Sequence, residues 1–218
     1  MEGWYGLIAA ATYLTLAPDT QLVIFDDGAS IGGVWSSERI YPNLFAQVGH
    51  GLFEYSFYPM KKVGLTKDRY ISGSTIHDYL QSFAKDHGLV DRIRLNTTVT
   101  KAEKHDGKWA LTLDSTSQVS RVTATKLIVA SGVTSGPYVP EFQRDGFSKP
   151  IIHSSQIGPQ MSELTGPNVE RTTVLGAAKS AYDTVFLLLQ AGKKVDWIIR
   201  EDGSGVRYSP AAPFLVIC

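Results

Sequence analysis

The stretch M-E-G-W-Y-G-L-I-A-A-A-T-Y-L, residues 1–14, decides the predicted fold. Gly3 and Gly6 stand at the start of a run whose apolar spacing predicts a helix over residues 4–17. A short apolar run, Q-L-V-I-F at 21–25, follows it and has the composition of a buried parallel strand. A glycine turn, a helix and a buried strand in this order predict an α/β fold.

The spacing of these glycines is typical of a dinucleotide-binding turn. In the pattern G-x-G-x-x-G, glycines let the pyrophosphate approach the N-terminus of a helix, and an acid about 20 residues later binds the ribose. Gly3 and Gly6 take the second and third glycine positions, and Asp26 lies 20 residues after Gly6 (26 − 6). Met1 takes the first position. On its own, G-x-x-G is explained equally well by a glycine that lets a helix pack closely.

A second unit of strand, turn and helix begins near residue 171. V-L-G-A-A-K-S-A at 174–181 places Gly176 at the first glycine position and Ala178 at the second. The methyl group of Ala178 would enter the space that a pyrophosphate needs. Arg200 follows the next strand and could pair with a 2′-phosphate. The pattern leaves two interpretations open, a weakened nucleotide site and a structural βαβ unit with a surface arginine.

Other elements are predicted from local patterns. Ser74 is expected to cap a helix whose apolar face is formed by Ile76, Tyr79, Leu80 and Phe83. Residues 98–124 are expected to form an antiparallel meander around a hairpin turn at Asp106-Gly107. Residues 126–130, K-L-I-V-A, have the composition of a buried strand. The helix predicted over 179–191 is expected to turn the following residues inward: Tyr182, Phe186 and Leu189.

Composition narrows the class of protein. Hydrophobic residues make up 43% and charged residues 19%, as in an ordinary globular protein. Lys plus Arg and Asp plus Glu each number 21, so charge gives no reason to expect nucleic acid or an anionic membrane as partner. The only cysteine is Cys218, which fits a reducing compartment. We therefore expect a cytoplasmic protein without nucleic-acid or membrane partners, and no histidine or acidic spacing predicts a metal site.

Several stretches together resemble one known family. They are W-Y-G-L-I-A-A, I-F-D, I-G-G-V-W, Y-P-N-L, L-I-V-A-S-G-V-T-S-G-P-Y-V-P, F-S-K-P-I-I-H-S and G-A-A-K-S-A-Y-D. In this order they resemble the N-terminal part of flavin-containing monooxygenases, close to the fungal members of natural-product pathways. The resemblance implies FAD on the first turn, NADPH on the second, and oxygenation of nitrogen, sulfur or ketone substrates.

The resemblance also implies roles for residues. FAD contacts are implied at Gly3, Gly6, Asp26, Gly32, Gly33 and Trp35, and NADPH contacts at Gly176, Ala178, Ser180 and Arg200. The implied fold class is α/β, the remnant of a Rossmann-like FAD domain with a parallel sheet and a small antiparallel meander, plus the first βαβ of an NADPH-type domain. Residues 1–146 would form the FAD-binding-like domain without its first strand, and residues 147–218 the partial NADPH-binding-like unit.

Departures from the family lead to a prediction about cofactors. The family's first strand, first glycine and everything after the start of the second βαβ are absent from these 218 residues. Each contact between a charged group and a hydrogen-bond donor contributes on the order of 1.5–3 kcal/mol, so losing several should abolish tight binding. We therefore expect no bound cofactor, neither FAD nor NADPH. A gap in the sheet also favours a homodimer.

Three functions stay open. The first is a repurposed natural-product enzyme that cyclises or isomerises an apolar small molecule without a cofactor, for example by a Diels–Alder-type reaction. The second is an FAD- and NADPH-dependent monooxygenase that is incomplete or needs a partner chain. The third is a non-catalytic binding fragment.

Three residues are candidates for catalysis. Arg39 and Tyr41 lie on the segment that would border the flavin ring, where either could donate to a developing oxyanion. A surface ion pair for Arg39 and a core position for Tyr41 are the alternatives. His153 ends the stretch that matches the family signature F-x-G-x-x-x-H, with Lys149 in place of its glycine, although a lone histidine is more often structural. Asp183 is expected to face solvent.

Overall fold

The computed structural model describes residues 3–115, 118–132, 136–199 and 215–217. The chain forms two compact units, one of Met1–Ile40 and Phe45–Val133 and the other of Tyr41–Leu44 and Thr134–Cys218. We call them unit 1 and unit 2. The assignment of FAD to residues 1–146 and of NADPH to residues 147–218 stays a prediction.

The described helices are α1 (Trp4–Leu16), α2 (Gly73–Asp86), α3 (Ile157–Leu164) and α4 (Lys179–Gln190). The described strands are β1 (Ile24–Phe25), β2 (Phe45–Gly49), β3 (Tyr70–Ser72), β4 (Ile93–Arg94), β5 (Thr97–His105), β6 (Lys108–Ser115), β7 (Gln118–Ala124), β8 (Ile151–His153), β9 (Arg171–Leu175), β10 (Lys194–Ile198) and β11 (Leu215–Ile217). Short 3₁₀ turns lie at Gly33–Trp35, Val90–Arg92 and Ser154–Gln156.

Unit 1 combines parallel and antiparallel pairs. Strand β1 pairs in parallel with β4, β2 pairs antiparallel with β3, and β5, β6 and β7 form an antiparallel meander. At the β5–β6 turn, Asp106 and Gly107 have φ values of 49° and 78°. Two positive φ values are those of a type I′ hairpin turn, which confirms the predicted hairpin.

Helices α1 and α2 share the core of unit 1. The predicted face of α2 is confirmed, since Ile76, Leu80 and Phe83 are fully buried. Its cap, however, is Ser72, whose Oγ accepts a hydrogen bond from the backbone N–H of Thr75 at 3.2 Å. The prediction of Ser74 was wrong because the helix begins at Gly73, two residues before the start that a Ser74 cap implies.

The predicted buried strand at 126–130 is also wrong. These residues belong to no strand within the described part of the chain, and Ile128 and Val129 are 55% and 75% exposed. They lie beside one face of α1, with which they line an apolar groove that includes Tyr5, Ile8 and Leu16. An apolar run becomes a strand only where a neighbouring strand offers hydrogen bonds, and local composition cannot supply that neighbour.

Unit 2 contains one mixed sheet in the order β10-β9-β11-β8. Strands β9 and β10 are parallel and are joined by α4, while β11 is antiparallel to both β9 and β8. The predicted inward face of α4 is wrong. Ala181, Thr184, Leu187 and Leu188 are buried, whereas the predicted residues are more than half exposed: Tyr182, Phe186 and Leu189.

This mixture of helices with parallel and antiparallel strands confirms the predicted α/β fold class. In the part of the chain that the structure describes, no helix is both long enough and apolar enough to span a membrane. The cytoplasmic location and the absence of nucleic-acid partners stay predictions.

Candidate functional site

The first predicted turn is built by two glycine segments that meet. Gly3 precedes α1, and its carbonyl oxygen accepts a hydrogen bond from the N–H of Leu7 at 3.3 Å. Gly33 has a φ of 61°, and a Cβ built on it would lie 2.9 Å from the Cα of Gly3. No side chain fits at that distance, so the start of α1 and the I-G-G-V-W segment touch through their backbones.

The I-G-G-V-W segment is anchored in the core of unit 1. Gly32 has a φ of 138°, and a Cβ there would lie 2.8 Å from the carbonyl oxygen of Trp35. The Trp35 ring packs edge-on against Phe53, with centroids 6.0 Å apart. Its carbonyl oxygen accepts a hydrogen bond from Nδ1 of His77 at 3.0 Å. Through these two contacts, Trp35 holds the I-G-G-V-W segment against the core of unit 1.

Asp26, the predicted ribose acid, follows β1 and is 3% exposed. Its Oδ1 accepts a hydrogen bond from the N–H of Gly28 at 2.6 Å, and its N–H donates to the carbonyl oxygen of Arg94 at 3.0 Å. These bonds hold the carboxylate at the carboxyl end of a parallel strand, where ligands of α/β sheets bind.

A second carboxylate, which sequence reasoning missed, stands on the same loop. Glu38 Oε1 accepts a hydrogen bond from the N–H of Ala29 at 3.0 Å, and Oε2 accepts one from Ser30 Oγ at 2.6 Å. Burial acts to raise the pKa of Glu38, but these hydrogen bonds outweigh it and the pKa is lowered. A Cβ on Gly28 would lie 2.9 Å from Asp26 Oδ1 and 3.2 Å from Glu38 Oε1, so both acids flank one glycine. No spacing rule in the sequence points to Glu38.

Two further predicted residues belong to unit 1. Gly6 lies within the first turn of α1 and is half-buried. The N–H of Arg39 donates to the carbonyl oxygen of Ser36 at 3.0 Å. Within the described residues, the guanidinium of Arg39 forms no ion pair.

The second predicted turn is tied to β10. Gly176 has a φ of 121°, its N–H donates to the carbonyl oxygen of Ile198 at 3.0 Å, and its carbonyl oxygen accepts a bond from Trp197 Nε1 at 2.6 Å. Ala178 is the N-cap of α4 and offers no side-chain cap. Ser180 lies in the first turn, and its carbonyl oxygen accepts a bond from Thr184 Oγ1 at 2.6 Å.

Beside this turn lies a cluster of one acid and two donors. Lys179 Nζ and the Tyr41 hydroxyl both donate to Oδ2 of Asp183, the tyrosine at 3.2 Å. Burial acts to raise the pKa of Asp183, against the opposing effects of Lys179 and Tyr41. Burial and the neighbouring carboxylate likewise raise the pKa of Tyr41. The prediction that Asp183 faces solvent is wrong, since its side chain is 13% exposed.

The structure does not gather the predicted catalytic residues into one unit. Arg39 belongs to unit 1, and Tyr41 and His153 to unit 2. Nδ1 of His153 accepts a hydrogen bond from the N–H of Ser155 at 3.2 Å and so caps a 3₁₀ turn, and burial lowers its pKa. Arg200, predicted to meet a 2′-phosphate, lies outside the described residues.

Two further features bear on the site. The apolar groove beside α1 is lined by none of the predicted catalytic residues. Across the described residues, no three His, Cys, Asp or Glu side chains lie close enough together to hold a metal ion. The described residues offer two backbone turns with charged side chains beside them, an arrangement suited to binding phosphates and sugars.

Known proteins match this chain across both units. The family model described as pyridine nucleotide-disulphide oxidoreductase matches residues 44–212. An FAD-dependent monooxygenase of Fusarium langsethiae is 49% identical over 205 residues, covering 93% of this chain and 35% of its own length. Another, from Aspergillus nomiae, is 42% identical over 214 residues, covering 93% and 37%. The chain thus spans about a third of the length of these curated relatives.

A solved structure shares the fold. Cyclohexanone monooxygenase from Rhodococcus sp. Phi1, bound to NADP⁺, superposes with a TM-score of 0.68 at 23% identity, covering 92% of this chain and 36% of that one. This structure shows the shared fold, and the fungal relatives confirm the predicted resemblance to flavin-containing monooxygenases.

The prediction of no bound cofactor is wrong. The fungal relatives that match 93% of this chain are named FAD-dependent monooxygenases. The prediction rested on comparing the ends of the sequence with full-length proteins, and the relatives that match this part of the chain overturn it. Cofactor-free cyclisation or isomerisation depended on that prediction and loses its support with it.

Proposed function

Since the chain belongs to the pyridine nucleotide-disulphide oxidoreductase family, we propose that it supplies the FAD-binding turn and the nicotinamide-nucleotide turn of an FAD-dependent monooxygenase. The observation that carries the proposal is the backbone contact between Gly3 and Gly33, where a Cβ would lie 2.9 Å from the opposite Cα. For the whole protein we propose an oxygenation activity. Its proposed substrate is an apolar small molecule of fungal natural-product metabolism.

The residues of unit 1 fit FAD. The N-terminus of α1 offers backbone N–H groups and the positive end of the helix dipole to a pyrophosphate. Gly3 keeps that approach free of a side chain, and Gly33 packs directly against Gly3. Asp26, at the end of β1, would hold the adenosine ribose.

The residues of unit 2 fit a nicotinamide nucleotide less closely. Gly176 adopts the φ of 121° that the bend before a nucleotide-binding helix requires of a glycine. Ala178 restricts the approach of the pyrophosphate, and Ser180 lies in the first turn of α4. Unit 2 therefore suits a mode of nucleotide binding in which side chains contribute as well as the backbone.

When bound, FAD supplies the activation of dioxygen, with electrons delivered by the nicotinamide nucleotide. The chain's own part is binding and orientation. In unit 1, Trp35 and Glu38 hold the loop that carries the second pair of glycines. In unit 2, Trp197 holds Gly176 against β10. Roles for Arg39, Tyr41 and His153 in the oxygenation step stay predictions.

A pair of glycine variants tests the FAD site. Gly33 and Gly51 both have positive φ values, 61° and 92°, so alanine strains the backbone at either position. Only at Gly33 does the new Cβ meet another segment, and nothing lies within 4 Å at Gly51. In a fluorescence titration of the purified chain with FAD, we expect Gly33→Ala to weaken binding by roughly tenfold or more, as lost contacts to charged groups do.

Gly51→Ala is the matched control and should bind FAD as the unchanged chain does. Circular dichroism would show that both variants are folded. Undetectable FAD binding by the unchanged chain, or equal affinities for the two alanine variants, would contradict the proposal.

A further inference from the structure

Building on the nicotinamide-nucleotide turn of the proposed function, we propose that Lys179 takes over the pyrophosphate contact that Ala178 obstructs. At this turn a positioned ammonium group, held by Asp183, replaces the close backbone approach that a second glycine normally permits. The ligand class is a nicotinamide dinucleotide, bound through its phosphates.

The first step concerns Ala178. It occupies the second glycine position and is the N-cap of α4, with φ of −100° and ψ of −176°. Its extended backbone suits any residue, so alanine is not strained there. The consequence is steric, because the methyl group keeps a pyrophosphate further from the helix N–H groups than glycine would. Charge acts over longer distances than an N–H hydrogen bond, so a cation is the natural compensation.

The second step concerns the unusual place of Lys179. It is the first residue of α4, and the first turn contains no acidic residue. A cation at a helix N-terminus opposes the helix dipole and costs on the order of 0.3–1 kcal/mol. A lysine that precedes its acidic partner by four residues is also the less favourable order for such a pair. A local conflict of this kind is expected at a functional site, where a bound anion would resolve it.

The third step concerns how the ammonium is held. Lys179 Nζ donates to Oδ2 of Asp183, and the two side chains are only 28% and 13% exposed. Tyr41 donates to the same oxygen at 3.2 Å, which fixes the carboxylate. The two residues are four positions apart, so the ammonium lies within the first two turns of α4. An ammonium has three N–H donors, and Asp183 is its only partner among the described residues.

The experiment measures NADP⁺ binding to the whole 218-residue chain by isothermal titration calorimetry at low and high salt. Lys179→Met should weaken binding roughly 10- to 100-fold and make it less dependent on salt. Adding Ala178→Gly to Lys179→Met should restore much of the affinity, because glycine lets the pyrophosphate reach the backbone. A variant that had simply misfolded would not be rescued by that second change.

Lys194→Met is the matched control. Lys194 lies in the same unit, at the start of β10, and pairs with Glu170 at 2.6 Å in an exposed ion pair. Lys194→Met changes the net charge by the same amount as Lys179→Met, and it should leave the affinity for NADP⁺ unchanged. Equal affinities for Lys179→Met and the unchanged chain, or no rescue by Ala178→Gly, would overturn this inference alone. Absence of NADP⁺ binding by the unchanged chain would overturn both this inference and the nicotinamide-nucleotide part of the proposed function.

Discussion

At the scale of single residues, His153 links the stability of unit 2 to pH. Burial lowers the pKa of His153 in the folded chain, while an unfolded histidine titrates near about 6.5. The unfolded state therefore binds a proton more readily, and protonation also removes the lone pair on Nδ1 that accepts the N–H of Ser155. The stabilising contribution is present above about pH 6.5 and is lost as the pH falls from there through the lower pKa of the folded chain.

Urea unfolding at a series of pH values checks this prediction. Between about pH 7.5 and 5.5, the free energy of unfolding should fall more steeply for the unchanged chain than for His153→Asn, since asparagine can cap without titrating. His105→Asn, which removes an exposed histidine of unit 1, should keep the slope of the unchanged chain. Parallel curves for the unchanged chain and His153→Asn would show that His153 does not contribute.

Tyr41 and Asp183 form the second residue-scale test. The hydroxyl of Tyr41 donates to the carboxylate at 3.2 Å, and both side chains are largely buried. Removing a bond to a charged group should cost on the order of 1.5–3 kcal/mol for Tyr41→Phe. In a double-mutant cycle with Asp183→Asn, measured by urea unfolding, we expect a coupling energy of roughly 0.5–3 kcal/mol. Strictly additive losses would mean that the hydrogen bond contributes nothing to stability.

At the scale of elements, the start of α2 offers a matched pair of serines. Ser72 Oγ accepts the N–H of Thr75 and so satisfies one of the free N–H groups of the first turn, whereas Ser74 lies inside the helix. Ser72→Ala should lower the free energy of unfolding by about 1 kcal/mol. Ser74→Ala should change it by less, because the Ser74 hydroxyl contacts Ser72 Oγ at 3.0 Å and caps no backbone N–H of the first turn. Thermal or urea unfolding of the two variants distinguishes the positions, and an equal loss from both would contradict the assignment.

How much of an element the sequence predicts depends on whether its pattern is local. The Asp106-Gly107 hairpin and the buried face of α2 follow from neighbouring residues alone, and both predictions hold. Helix α4 has apolar residues on two faces, so periodicity could not tell which face meets the sheet. The structure turns small Ala181 and Thr184 inward, which lets the helix lie close to β9 and β10.

The candidate site divides in the same way. Gly176 was found from spacing because a tight turn is a local demand on the backbone, whereas Gly33 came from the resemblance to the family. Glu38 was missed because its partners, Ala29 and Ser30, are brought to it by the folding of the loop. The Tyr41–Asp183 bond joins residues 142 positions apart, and no local pattern could predict it.

At the scale of the whole molecule, the apolar groove beside α1 is a surface whose apolar residues are exposed, where burial would be expected. Helix α1 is apolar on almost every face, and helices of that kind are normally buried all round. Here Leu7, Ala10 and Ala11 pack into the core, while Tyr5 and Leu16 on the groove side are 72% and 80% exposed. Such a surface favours association between copies of the chain, as the sequence-based prediction of a homodimer proposes.

Two leucines of equal exposure test the role of the groove. Leu16 lines it and is 80% exposed, while Leu52 is 81% exposed and does not line it. In sedimentation velocity over a range of concentrations, we expect the unchanged chain and Leu52→Lys to self-associate. Leu16→Lys should remain monomeric to higher concentration, because a lysine in the groove must lose hydration when a second copy covers it. The groove does not drive association if the unchanged chain stays monomeric at every concentration, or if Leu16→Lys and Leu52→Lys have equal effects.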